Sequence, residues 1–409
     1  MTSSTEDTVR TERFESLGIA PELIATLADR GITEPFPIQT MAIPDALTGR
    51  DVCGKAQTGS GKTIAFGIPM VMHRTETRPH LPFGLILVPT RELCLQVSKE
   101  MEMLAEPFGL RVVAVYGGVS LKHQVDEVKR GVDIVVATPG RLIDLGDRGA
   151  LSLEAVEIVV LDEADQMADM GFLPQVDHVL RQIEVEHQTM LFSATLDGAV
   201  DRLVKRHMAD PVYHEVETAQ VTVDTMEHRF LEVHHMDKPK VVAAIANSTG
   251  RVLVFVRTKR GCDRVAEQLR KEGLAARAIH GDLPQQRRER VLSTFVSGTS
   301  PVLVATNVAA RGLHIEGVDV VIHYDPPQDS KTYLHRSGRT ARAGDIGLVV
   351  TLVEYNQIVE VRTLQKEAEV LQPIVKMFSN DPRLRDLMAF EPPEFVAFEP
   401  SQRRRRRRR

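Results

Sequence analysis

The chain is 409 residues long, 43% hydrophobic and 26% charged, with 5% aromatic residues and no Trp. Such a length exceeds one ordinary core and predicts two domains, and the composition excludes collagen-like, wholly disordered and disulfide-stapled chains. Net charge is −5, and without the seven positive charges of Arg403–Arg409 it becomes −12. Any nucleic acid must therefore be held by a local basic surface and not by bulk charge.

Met1 to Arg13 are polar, with no apolar stretch of the signal-peptide kind. No run approaches the ~18 apolar residues of a membrane span. The expectation is a cytoplasmic protein without a membrane partner. Phe14 stands alone ahead of Gly31-Ile32-Thr33-Glu34-Pro35-Phe36-Pro37-Ile38-Gln39, and Ala56-Gln57-Thr58-Gly59-Ser60-Gly61-Lys62-Thr63 follows. Short apolar runs then recur at Leu85–Val88, Asp133–Ala137, Ile158–Leu161, Met190–Phe192, Val252–Val256, Val302–Ala305, Val320–His323 and Leu348–Leu352. They are rich in Val, Leu and Ile without strict alternation, the pattern of strands buried on both faces of a parallel sheet. Amphipathic stretches between them, such as Arg260–Glu272 with Val265 and Leu269 apolar, predict βαβ units.

The runs fall into two sets. The first ends near Pro211; Val212–Glu227 reads as irregular and polar, and the second set begins near Arg229. The predicted division is residues 1–215, a linker at 216–228, a second domain at 229–372, and a disordered tail at 373–409 with Pro392-Pro393 and the terminal arginines. Cys53, Cys94 and Cys262 form no CxxC pair and fit no zinc spacing. They read as buried small hydrophobes of a reducing compartment.

Nearly every polar motif begins where an apolar run ends, and in open α/β sheets the ligand crevice lies outside the carboxyl ends of the strands. A glycine-rich loop closing on Lys-Thr cradles phosphates with its backbone N–H groups; its lysine neutralises the outer phosphates and its hydroxyl ligates Mg²⁺. Asp162-Glu163-Ala164-Asp165, ending the run Val156–Leu161, supplies the facing carboxylates. Asp162 suits the metal and Glu163 the attacking water. ATP and Mg²⁺ are thus the expected cofactors.

The ordered set resembles the DEAD-box family of ATP-dependent RNA helicases, and the resemblance runs from Phe14 to about Arg342. It implies an α/β fold of two RecA-like parallel-sheet domains with an interdomain cleft, and RNA-dependent hydrolysis of ATP. Gln39 matches the adenine-reading glutamine, whose amide can both accept and donate to that base, and Phe14 the isolated aromatic; Phe36 stands where the family usually has Thr. Ala56 in place of the first loop glycine is the family's usual residue. Asp165, Ser193 and Thr195 match the coupling motif between the nucleotide and RNA sides. Pro89, Thr90, Arg91, Gly118, Thr138, Pro139 and Arg141 match the first domain's RNA grip, and Gln285, Arg288 and Thr306 that of the second. These groups suit phosphate and 2′-OH contacts and lack stacked aromatics, so largely sequence-independent RNA binding is implied. In His335–Arg342, Arg339 and Arg342 match the arginine fingers; three apart, they can share one helix face.

Asn307 and His314 depart from the family, which usually carries Asp at both positions; the change bears on domain closure and ATP affinity. It sustains a rival reading, an ATP-regulated RNA clamp or annealing chaperone with weak hydrolysis. A second rival is a DNA helicase. The sequence names neither the RNA target nor protein partners, such as ribosome-assembly or RNA-decay factors. The run Arg403–Arg409 is consistent with added, salt-sensitive RNA affinity.

Overall fold

The computed structural model describes residues 13–56, 59–73, 81–196, 198–216, 226–307, 318–340 and 346–393. Two compact units divide between Thr218 and Ala219.

The first unit is a parallel sheet of β1 (Val52–Lys55), β2 (Gly84–Leu87), β3 (Val112–Val115), β4 (Ile134–Ala137), β5 (Ile158–Asp162), β6 (Gln188–Ser193) and β7 (Val212–Glu215), in the order β3-β4-β2-β5-β6-β1-β7. Successive side chains point to opposite faces of a strand. Ile86, Ile134 and Phe192 accordingly join one apolar cluster with Ile38 and Phe66, while Leu85, Leu87 and Leu191 join another with Leu145 and Val179. Both faces are covered, which is why the runs show no alternation. Gly54 of β1 admits the Phe192 ring, since a Cβ there would lie 2.5 Å from it.

The second unit contains β8 (Met226–Glu232), β9 (Val252–Phe255), β10 (Ala276–Ile279), β11 (Val302–Ala305), β12 (Val320–His323), β13 (Gly347–Val353) and β14 (Ile374–Lys376), in the order β10-β11-β9-β12-β13-β8-β14. All its pairings are parallel. Adding seven to each strand of the first sheet gives the second, so the two units share one winding.

A local device is duplicated with it. Thr90, after β2, caps helix Arg91–Ala105 by accepting from Leu93 N–H at 3.2 Å, and Thr258, after β9, caps helix Lys259–Lys271 by accepting from Gly261 N–H at 3.0 Å. Four residues past each cap a buried thiol donates to the neighbouring strand: Cys94 to Val136 O at 3.1 Å, and Cys262 to Val304 O at 2.9 Å. Burial pushes all three thiols, Cys53 included, up to about 12.

Several boundaries need correction. Val212–Glu215, read as irregular, is edge strand β7 on β1; Glu215 pairs with Lys55 across that edge. Residues 226–228, assigned to the linker, already belong to β8. The tail does not begin at 373: Ile374–Lys376 pairs with β8, Met377, Leu384 and Leu387 are buried in the core, and Arg229 donates to Leu387 O at 3.0 Å. A three-residue strand followed by a single helical turn carries too little periodicity to read. Residues 394–409 lie outside those described.

Candidate functional site

Because every pairing is parallel, the carboxyl ends of β1 to β6 lie along one edge, and the motif residues follow them. Ala56 leaves β1 buried and donates its N–H to Ser193 O at the end of β6, 3.0 Å away. Gln57 and Thr58 lie outside the described residues. Gly59 and Gly61 have φ of 85° and 80°, a left-handed course open to glycine. Gly61 caps helix Lys62–Met72, so the first N–H groups of that helix are available to an anion. Ser60 and Thr63 are half-buried beside it.

Lys62 Nζ lies 3.8 Å from Asp162 Oδ1, with both side chains almost fully buried. Burial raises the Asp162 carboxyl to about 6, against the pull of Lys62. Glu163, at the turn into helix Ala164–Asp169, has φ 52° and ψ 50°. A left-handed backbone is costly for glutamate, and such residues concentrate where geometry matters to function.

Gln39 is fully buried. It accepts from Phe36 N–H at 2.8 Å and donates to Gly61 O at 2.9 Å, so it braces the phosphate loop. A Cβ on Gly61 would lie 2.2 Å from that amide and 2.8 Å from the Phe36 ring. Phe36, noted in the sequence only as a departure from the family, is half exposed beside that glycine. Phe14, matched to the family's isolated aromatic, is 2% exposed and packed in the core of the first unit.

In the coupling motif, Ser193 Oγ accepts from the Asp165 backbone N–H at 3.1 Å rather than bonding its carboxylate. Asp165 Oδ2 and Thr195 Oγ1 are both buried without a hydrogen-bond partner. Among the residues matched to the RNA grip, Pro89 and Thr90 follow β2, and Arg91 lies over the Tyr116 ring at 4.6 Å and next to Gly118. Thr138 precedes helix Pro139–Asp147. Arg141, matched to the same grip, donates to Gln124 Oε1 at 2.7 Å and Val119 O at 3.3 Å.

In the second unit Thr306 follows β11, and helix Gln285–Val296 brings half-buried Arg288 beyond β10. The side chain of Gln285, and Arg311, His314 and Arg342, lie outside the described residues. Asn307 Oδ1 accepts from Arg336 Nε. Helix Ser330–Ser337 ends before Arg339, and Thr340 bridges to Val318, so Arg339 sits in a turn and not on a helix face.

Under that helix lies a buried polar cluster that the sequence did not signal. Tyr333 Oη meets His228 Nδ1 at 2.7 Å, and Thr351 Oγ1 meets His323 Nδ1 at 3.3 Å. The Nε2 atoms of both histidines are buried without a partner. Burial, aided by Arg336, holds His323 well below its usual range, and burial lowers His228 to about 4 despite Glu227. Both are neutral in the fold, so the stability they lend is complete above about pH 6.5 and is lost as pH falls through the folded values. For His228 this amounts to about 3 kcal/mol. Urea unfolding of the full chain should show the second unit's midpoint falling between pH 7 and pH 4, and His228→Asn should flatten that dependence; an unchanged dependence counts against the cluster.

Residues 36–203 match the DEAD/DEAH box helicase family, and residues 237–344 the helicase conserved C-terminal domain. The DEAD-box ATP-dependent RNA helicase CshA of Geobacillus kaustophilus is 41% identical over 366 residues, 88% of this chain and 78% of that protein. CshA of Listeria monocytogenes is 41% identical over 367 residues, 88% and 70% of the two chains. Among solved structures, S. cerevisiae Dbp5 bound to RNA and ADP BeF3 superposes with a TM-score of 0.79 at 30% identity, covering 91% of this chain and 98% of that one. Two RecA-like sheets, a phosphate loop facing Asp162 and these matches agree: the chain belongs to the DEAD-box family of ATP-dependent RNA helicases, enzymes that hydrolyse ATP in response to RNA.

Proposed function

We propose that the protein couples RNA-stimulated ATP hydrolysis to local opening of short RNA duplexes, or to remodelling of RNA–protein complexes, in the cytoplasm. The observation that carries this is the Lys62–Asp162 pair at the mouth of a helix N-terminus, on the same sheet edge as the first unit's residues matched to the RNA grip. Mg²⁺ fits that edge. Among the described residues no cluster of three His, Cys, Asp or Glu could hold a metal by itself, but Mg²⁺ is ordinarily held by one or two carboxylates plus substrate phosphates. Asp162, buried and only partly compensated by Lys62, and Thr63 are the residues that would hold it; once bound, it neutralises charge on the phosphate oxygens.

In this reading Lys62 and the loop N–H groups bind the phosphates, Glu163 orients water, and the second unit contributes Arg339 and Arg342. The unpaired Asp165 carboxylate oxygen and Thr195 hydroxyl form a link only when nucleotide and RNA are bound. RNA is held through phosphate and 2′-OH contacts without base reading. For the clamp reading no observation speaks: the Asn307 amide oxygen makes the bond to Arg336 that a carboxylate would make. ATP hydrolysis with and without RNA, and with DNA of the same sequence, tests the proposal. Stimulation by RNA alone is the expected result, and a rate indifferent to RNA overturns it.

Base selectivity provides a second measurement. In this reading Gln39 exchanges its bonds to Phe36 N–H and Gly61 O for the adenine edge; ATP is then used in preference to GTP, and Gln39→Ala weakens ATP use by about 1–3 kcal/mol, the scale of a bidentate base contact. Equal use of both nucleotides by the parent protein refutes the role of Gln39.

A further inference from the structure

We propose that the outer edge of the second sheet carries an accessory groove for the phosphodiester backbone of RNA, formed by Arg277, Arg287 and Arg290, apart from the motif residues. The proposal rests on RNA being the partner and extends the path that RNA takes. β10 is an edge strand with only β11 beside it. Between β10 and helix Gln285–Val296 lies a cavity of about 410 Å³, lined by Arg277, Arg287 and Arg290 together with Gln286 and Thr294, and by no carboxylate. A smaller cavity of about 160 Å³ shares Arg277 and Arg287 and adds Asp263, Glu267 and Arg270.

The acids of the smaller cavity are engaged elsewhere. Asp263 meets His280 at 3.1 Å and Glu267 meets Lys271 at 3.1 Å. Arg270 donates to Ala276 O at 3.3 Å. The side chains of Arg277, Arg287 and Arg290 are exposed and make no hydrogen bond or ion pair among the described residues. Three unpaired guanidinium groups around one cavity repel each other and favour an anion between them. Their planar forks match phosphate oxygens in bidentate fashion.

The arrangement selects a chain of phosphates. Arg287 and Arg290 are three apart and share a helix face, so the positive charge is a row and not a point. Arg288 projects about 100° round the same helix from Arg287. Arg288 and the groove thus occupy neighbouring faces of one helix. No aromatic side chain lines the cavity, so bases are not stacked there, and binding is independent of sequence.

The test compares the full chain with a triple variant, Arg277→Gln, Arg287→Gln and Arg290→Gln. Binding of single-stranded RNAs of about 6 and about 20 nucleotides, bracketing common single-strand site sizes, is measured against salt concentration. The terminal arginines are present in both proteins and cancel. For the long RNA, affinity should fall about tenfold at low salt and the salt slope should lessen by about 2, at about 0.7 per phosphate released. The short RNA should bind as before, and the ATPase rate at saturating short RNA should be unchanged, which also reports an intact fold. An unaltered slope with the long RNA, or equal loss with both RNAs, overturns the groove. If instead the parent protein neither binds RNA nor is stimulated by it, the functional reading itself fails.

Discussion

Replacing Lys62 by alanine abolishes RNA-stimulated ATP turnover, while replacing Glu163 by glutamine leaves ATP and RNA bound and lowers turnover by about 10²–10⁴, the usual worth of positioned acid–base catalysis. The two outcomes separate because the residues do different work at one sheet edge. Lys62 is nearly buried, 3.8 Å from Asp162, at the first position of the helix that follows the phosphate loop. Its loss also strips a buried carboxylate of the charge that opposes its raised pKa. Glu163 sits one residue further, on a left-handed backbone that glutamine can adopt as well as glutamate, so the turn survives and only the proton-accepting group goes. Nucleotide binding by fluorescence and single-turnover hydrolysis, run on both variants, make the measurement. A glutamine variant that hydrolyses like the parent removes Glu163 from the mechanism, and an alanine variant with residual RNA-stimulated turnover does the same for Lys62.

Arg339→Ala is expected to cut the turnover number by about 10³–10⁵ with ATP affinity nearly kept, because a guanidinium supplied to the transferring phosphoryl group acts on the transition state more than on the bound substrate. Its position is set by backbone and not by a helix face: helix Ser330–Ser337 stops, and Thr340 Oγ1 donates to Val318 O at 2.6 Å. Arg339→Lys should recover little, since an ammonium cannot reproduce the planar fork. Equal losses in turnover and in ATP affinity would instead mark Arg339 as a ground-state binder.

Much of this was legible in the sequence because the informative residues are local. The phosphate loop, Asp162-Glu163 and the hydroxyl turns each lie within a few positions, just after a strand whose apolar run is unmistakable. What escaped reading depended on contacts made at long range. β7 and β14 are edge strands with few apolar residues, fixed by partners at β1 and β8. Phe14 was read from its place in a motif, but the core around it decides its exposure. Arg141 has the residue type of a phosphate ligand, and only the fold reveals Gln124 within 2.7 Å. The His228–Tyr333–His323 cluster joins residues up to 105 positions apart, and no spacing rule links them.

The duplicated cap-and-thiol device gives each half of the molecule its own chemical clock. Cys94 and Cys262 occupy corresponding places, donate to corresponding strands, and are held protonated and sealed. A thiolate reagent can modify either one only while its own sheet has parted from the helix above it. Mass-resolved alkylation of the two sites therefore times the breathing of each half separately within one intact chain, and under nucleotide or RNA it tells which half a ligand has quieted.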